Sequence, residues 1–238
     1  MARILLLLLT VPVVIAFSDE DESKRTTDPI EIPNQLRPFN GLIGEWRGVG
    51  QLKRGSRQGA WSEKTSWGWG FADGQAVIKA TAKDGQRFRS LTFQIEDGNL
   101  QLVQDTGDQK LLFRPKPSSE AQSSKLRIFV SKPDREGVSH RCTIRQLSEK
   151  RTTILFERQT SAQGAFRRTA EIGYTRSGTS LAQTESSRRE CVVTGGRGTI
   201  AVSHKGNTWY VCCTGCLQAF QQNPDKVIAR YLASKKGE

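Results

Sequence analysis

Four of the five cysteines in this 238-residue chain lie in its last quarter, within "ECVVTGGRGTIAVSHKGNTWYVCCTGCLQAF". Cys191, Cys212 and Cys216 follow a C-x20-C-x3-C spacing, and Cys213 sits beside the second of them. Sulfurs so placed can close a disulfide, pack as buried thiols or hold a soft metal ion as thiolates. Other reactive groups are scarce. The chain has two histidines, His140 and His204, and it contains no G-x-S-x-G elbow, P-loop or H-E-x-x-H motif. No catalytic residue is assigned and enzyme activity is not expected, so the cysteines decide what chemistry is open.

The compartment bears on their redox state. Arg3 precedes an apolar run from Ile4 to Ala16, with Val14 and Ala16 at the small-residue positions before a cleavage point near Phe17. That is the pattern of a secretory signal over residues 1–16. A bilayer span needs about 20 apolar residues, and no second such run follows. The mature protein is therefore expected to be exported, periplasmic or extracellular, with no stable membrane span. Oxidising compartments favour disulfides, so pairing of Cys191 with Cys212, Cys213 or Cys216 stands as the alternative to metal binding.

The same stretch carries the elements that would position the sulfurs. "GTIAVSH" and "NTWYVCC" read as the two arms of a hairpin turning at Lys205-Gly206, with the glycine supplying a positive φ. Thr214-Gly215-Cys216 then opens a helix whose Leu217 and Phe220 can pack back on the hairpin. A cysteine in a first helical turn faces unpaired amides and the positive end of the dipole, which stabilise its thiolate. Asn223 is placed to cap a second helix, Pro224 suits its first position, and Val227, Ile228, Tyr231 and Leu232 form its apolar stripe.

With "CVVTG" at the first cysteine, "GNTWYVCCTGC" at the next two and Asn223-Pro224 beyond, residues 190–238 resemble the TRASH domain and its YHS relative. The resemblance implies a treble-clef-like ββαα module holding a heavy-metal ion through Cys191, Cys212 and Cys216. Ser203-His204 only partly echoes the motif that names the YHS relative. Zinc and copper(I) are the expected ions. Copper(I) accepts three sulfurs, whereas zinc requires a fourth donor, for which Cys213, His204 and water are the candidates.

Ahead of this module, residues 177–189 read as a polar linker and residues 39–176 as almost pure strand. Ten alternating segments recur, from "EWRGVGQL" and "WSEKTSWGWGF" to "RTTILFERQ" and "FRRTAEIGYT". Asp73-Gly74, Asp84-Gly85 and Asp97-Gly98 at the joints predict tight hairpins. Ten strands paired in order would leave two bare edges, and closure into an antiparallel up-and-down barrel removes them. The fold class expected is thus mainly β: a ten-stranded barrel followed by the cysteine module. Residues 17–38, charged and carrying Pro29, Pro33 and Pro38, read as a flexible leader.

The first strand, with Gly44, Trp46, Gly48 and Gly50 in a G-x-W-x-G-x-G arrangement, resembles that of nitrobindin-type and fatty-acid-binding-protein-like barrels. This implies a lipocalin-like fold with room for a small apolar ligand, the glycines allowing close approach of backbone or ligand and Trp46 plugging one end. Nitrobindins hold haem through a histidine late in the domain. The final strand "AEIGYTRSG" has none, so haem is not expected. His140 and Cys142 share a strand face but read as packed or solvated groups rather than ligands. Glu45, Glu63 and Glu171 read as outward, solubilising carboxylates. The formal net charge of +12 comes from scattered lysines and arginines. No recognition helix or aromatic-basic motif accompanies it, so a nucleic-acid partner is not expected.

Overall fold

The computed structural model describes residues 31–72, 74–116, 125–178 and 189–236. The expected signal, the first part of the leader and the middle of the linker lie outside the described residues. Ten strands follow in chain order: β1 (Gly44–Gln51), β2 (Trp61–Ala72), β3 (Gln75–Lys83), β4 (Ser90–Glu96), β5 (Asn99–Asp105), β6 (Lys110–Pro115), β7 (Leu126–Ser131), β8 (His140–Ser148), β9 (Arg151–Gln159) and β10 (Phe166–Arg176). Each pairs with the next, and β10 pairs antiparallel with β1 from Trp46↔Arg176 to Gln51↔Glu171, which closes the barrel. All ten segments read from the alternation are present in the expected order. Two strands, β11 (Ile200–His204) and β12 (Asn207–Val211), form a separate sheet, followed by helices α1 (Thr214–Gln222) and α2 (Pro224–Lys236). No helix among the described residues is long and apolar enough to cross a membrane.

Large side chains fill one end of the barrel. A short 3-10 helix at Arg37–Leu42 inserts Phe39, whose ring stacks on Phe93 at 4.0 Å, while Phe93 stacks in turn on Trp67 at 5.7 Å. Trp46 is buried there, as its position in β1 implied. Its indole N–H donates to the Leu42 carbonyl at 2.6 Å, and the Arg176 guanidinium lies 4.2 Å above its ring. Arg176 also donates to the Gly41 and Ile43 carbonyls, both at 2.6 Å, fastening the last barrel strand to the plug. Ile32 and Leu36 are buried too, so the core already begins within the stretch read as leader.

Two sequence readings need correction. Asp97-Gly98 does form a two-residue turn, with φ values of 50° and 74°, but Asp84-Gly85 does not. The β3–β4 connection spans residues 84–89, because it lowers Phe88 into the core. Asp73 lies outside the described residues. The second correction concerns Glu63, which is not an outward solubilising group: it is 4% exposed and points into the barrel. Strand parity explains this, since Glu63 shares the inward face of β2 with Trp61, Thr65, Trp67 and Trp69. Its carboxylate accepts from the Trp61 indole at 2.7 Å, the Tyr174 hydroxyl at 2.5 Å and the Thr65 hydroxyl at 3.2 Å.

The glycines of β1 make room for this network rather than for a ligand. A Cβ on Gly48 would lie 2.6 Å from the Tyr174 ring and 2.9 Å from Glu63, and one on Gly50 would lie 2.2 Å from Trp61. Outside the barrel, Lys64 stands directly opposite Arg47 on one side and Lys83 on the other. Like charges in register destabilise a sheet. Lys64→Glu is therefore expected to stabilise the fold by about 0.2–1 kcal/mol, read as a rise in the thermal midpoint that shrinks in high salt.

Candidate metal centre

The hairpin forms as the sequence implied. Lys205 and Gly206 adopt φ values of 49° and 77°, and the register runs from Ile200↔Val211 to His204↔Asn207. The open end of the hairpin delivers Cys212 and Cys213. Cys213 is the extended residue preceding α1, and Cys216 occupies the first turn of that helix. Cys191 reaches the same point from a tight loop. Its amide donates to the Gly196 carbonyl at 2.7 Å and its carbonyl accepts from Gly195 at 2.8 Å, while Val192 binds the Tyr210 carbonyl of β12 at 2.9 Å. Gly195 takes a φ of 73°, the left-handed conformation that reverses this loop.

The sulfurs of Cys191, Cys212 and Cys216 lie within 4.8 Å of one another, and all three residues are buried. Cys212 and Cys216 are 3.4 Å apart. All five cysteines are free thiols. Zinc–sulfur bonds of about 2.3 Å put ligand sulfurs on one tetrahedral ion about 3.8 Å apart, so small side-chain movements would bring these three onto one cation.

The sulfurs lie within hydrogen-bonding reach of one another. Cys191 is held well below the ordinary thiol range, first by hydrogen bonds from the Cys212 and Cys216 thiols, then by the hydroxyl and amide of Thr194. Cys213 is likewise lowered, first by Cys212 and Cys216 and then by the backbone amides of Cys216 and Trp69. Cys212 and Cys216 are pushed up as the donors of these bonds, Cys191 being the first partner of each. Thr194 is fully buried, and its hydroxyl also lies 3.6 Å from the Cys212 sulfur. A buried thiolate with oriented donors and a soft, polarisable surface suits a thiophilic cation.

The other sequence candidates are placed differently. His204 stands at the turn end of the hairpin, four residue steps and so about 13 Å along the strand from the end that carries Cys212. Its Nε2 lies 2.8 Å from an Asp225 carboxylate oxygen, which Lys205 also contacts at 2.7 Å. His204 is therefore not brought to the sulfurs. Cys213 is nearer, 3.9 Å from the Cys212 sulfur. His140 is half-buried, its imidazole lowered first by burial and then by Arg158. Cys142 is buried in the barrel, where burial and then Glu157 raise its thiol.

In α2 the Asn223 side chain caps the Lys226 amide at 3.2 Å. Val227 is buried, and Ile228 and Tyr231 pack against the core. Leu232 departs from the expected stripe: it is 46% exposed. Tyr231 instead reaches Glu190 at 3.3 Å, which Lys235 also pairs at 2.9 Å, so the helix clamps the residue next to Cys191.

Sequence reading missed how this centre meets the barrel. The Trp69 amide of β2 donates to the Cys213 sulfur at 3.2 Å. The Trp69 indole donates to Asn40 at 3.0 Å, and Asn40 donates to the Thr194 carbonyl at 2.9 Å. Gly68 and Gly70, on the outward parity of β2 between its tryptophans, were the only signal of a close approach from outside. The Cys213 side chain lies 3.8 Å from where a Cβ of Gly68 would be.

A closed antiparallel barrel that carries a buried cysteine cluster is the class these features define. No protein-family model matches the chain, and no curated protein matches it. Among solved structures it is similar to Rv2717c from M. tuberculosis, at 12% identity over 61% of this chain and 99% of that one, with a TM-score of 0.37. It is also similar to a protein of unknown function from the DUF3598 family of Nostoc punctiforme, at 12% identity over 58% of this chain and 48% of that one, with a TM-score of 0.35. A third likeness is to mFAP1, a redesigned β-barrel bound to DFHBI, at 11% identity over 59% of this chain and 99% of that one, with a TM-score of 0.26. At these scores the likenesses carry no argument about function, and the barrel is defined by its own strand pairing.

Proposed function

We propose that the chain is an exported heavy-metal-binding protein that senses, traffics or sequesters a soft cation through the thiolates of Cys191, Cys212 and Cys216. The observation that carries this reading is the convergence of these three sulfurs within 4.8 Å in a buried site, although twenty residues separate the first from the second in sequence. The TRASH/YHS-like spacing supports it, and so do the donors of Thr194, which favour a thiolate at Cys191. Copper(I) and zinc are the ions the donor set suits. Thiol protons compete with metal, so affinity is expected to rise with pH. A closed barrel also suits a carrier of a small apolar molecule, but Phe39, Trp46, Trp67 and Phe93 occupy one end of this one.

Native mass spectrometry of the full chain, reduced and offered zinc(II) or copper(I) in turn, tests the proposal. One equivalent of metal is expected, with Cys191, Cys212 and Cys216 protected from alkylation. Cys216→Ser is expected to lose that equivalent while the barrel stays folded by circular dichroism. A native disulfide from Cys191 to Cys212 or Cys216, or no metal uptake by the reduced protein, would overturn it.

A further inference from the structure

We propose that Cys213 is a positioning residue rather than a metal ligand: its sulfur pins α1 to the open edge of β2 and so couples metal occupancy to the barrel. The inference rests on the metal-binding reading above.

The edge is open for a topological reason. Strand β1 begins at Gly44, opposite Trp67, so it leaves the last residues of β2 uncovered on that side, while β3 runs on to pair with Ala72. An uncovered edge presents unpaired amides and carbonyls. The start of α1 takes the place of the missing strand. Cys213 accepts the Trp69 N–H at 3.2 Å, and Gly215 approaches the Trp69 carbonyl so closely that a Cβ would lie 1.8 Å from it. Cys213 is also the N-cap residue of the helix that carries a candidate ligand, its carbonyl accepting the Leu217 amide at 2.9 Å.

Trp69 meets the other half of the centre as well. Its indole N–H holds Asn40, and Asn40 holds the carbonyl of Thr194, which lies in the tight loop that Gly195 closes on the Cys191 carbonyl. One barrel residue thus touches both arms of the cysteine cluster, through its backbone on one side and its ring on the other. Cys213 lies between Cys212 and Cys216 in the chain, its sulfur 3.9 Å from that of Cys212. A cation held by Cys191, Cys212 and Cys216 fixes the residues on either side of Cys213, and with them the sulfur that accepts the Trp69 amide. The bond to β2 then strengthens, and by reciprocity a docked α1 raises metal affinity.

Cys213→Ala and Cys213→Ser in the full chain test this. A serine hydroxyl accepts amide hydrogens and caps helices well, but it is a poor substitute for a thiolate ligand. With zinc(II) and with copper(I), each variant is expected to bind one equivalent. Cys213→Ala should bind about tenfold more weakly than wild type, a typical coupling, and Cys213→Ser should recover most of that loss. In wild type, metal should slow hydrogen exchange at the Trp69 amide, and this response should vanish in the alanine variant and persist in the serine variant. Serine as damaging as alanine, or a lost equivalent in both, would make Cys213 a ligand and overturn the inference. So would metal-loaded wild type with unchanged exchange at Trp69. Failure of the wild type to bind metal would instead remove the underlying reading.

Discussion

Glu63→Ala is expected to lower the unfolding free energy by about 3–5 kcal/mol, a large share of the 5–15 kcal/mol that holds a typical domain. The carboxylate is the acceptor for three buried donors, the Trp61 indole and the Tyr174 and Thr65 hydroxyls. Thr65 can turn to the Tyr174 hydroxyl 3.5 Å away, which leaves two donors without acceptors. Each costs about 1–3 kcal/mol, and the vacated volume adds to that. Glu63→Gln keeps the volume but places an amide where an acceptor is needed, so it should fall between wild type and alanine. Urea midpoints at constant m-value give the order. Had Glu63 been a solvated surface group, both variants would stay within about 0.5 kcal/mol of wild type. The pH dependence has a definite sign too. Burial, then the neighbouring Glu63 carboxylate, raise the Tyr174 phenol well above its ordinary value. Its contribution to stability is therefore whole below the unfolded phenol's pKa of about 10, and it is lost as pH rises through the folded value.

Glu63 also marks where sequence reading stops short. The ten barrel strands were legible because period-two alternation reports burial directly, and closure follows from the cost of bare edges. Assigning Glu63 by residue type put it outside. Assigning it by parity, in step with Trp61, Trp67 and Trp69, would have put it inside. The Gly48 and Gly50 pattern carried matching information: small residues on an inward face imply large neighbours across the strands, here Tyr174, Glu63 and Trp61. The Asp84-Gly85 turn was misread because a dipeptide reports local conformation only, and the demand for Phe88 in the core lengthened the connection.

At the cysteines, spacing and turn chemistry were enough to predict the hairpin and the helix start, both consequences of local structure, while Cys191 as a third sulfur came with the family resemblance. His204 was a weaker candidate for a geometric reason visible in the same hairpin, since it lies beside the turn while the sulfurs gather at the open end. What the sequence hid was the surface beneath the module. Nothing local to Cys213 announces that its sulfur will meet the amide of Trp69. That contact depends on β1 starting at Gly44 and leaving the end of β2 uncovered, a property of the closed barrel as a whole.

Gly215→Ala gives that contact its sharpest test, because two effects predict opposite signs. Helix propensity alone favours alanine over glycine by about 0.8–1.0 kcal/mol, so a module tethered loosely beyond a linker would be stabilised. Against the barrel, the added methyl would lie 1.8 Å from the Trp69 carbonyl oxygen and 2.8 Å from its carbon. Both are backbone atoms of a paired strand and cannot swing aside as a flexible side chain does. Overpacking of this kind costs about 1–3 kcal/mol or more, which outweighs the propensity gain. The start of α1 is therefore expected to lift from β2, with faster hydrogen exchange at the Trp69 amide and a lower thermal midpoint. Because Cys216 sits one residue beyond the clash, metal affinity should fall with it although no sulfur has been changed. A raised midpoint in Gly215→Ala would mean that the cysteine module does not rest on the barrel in solution.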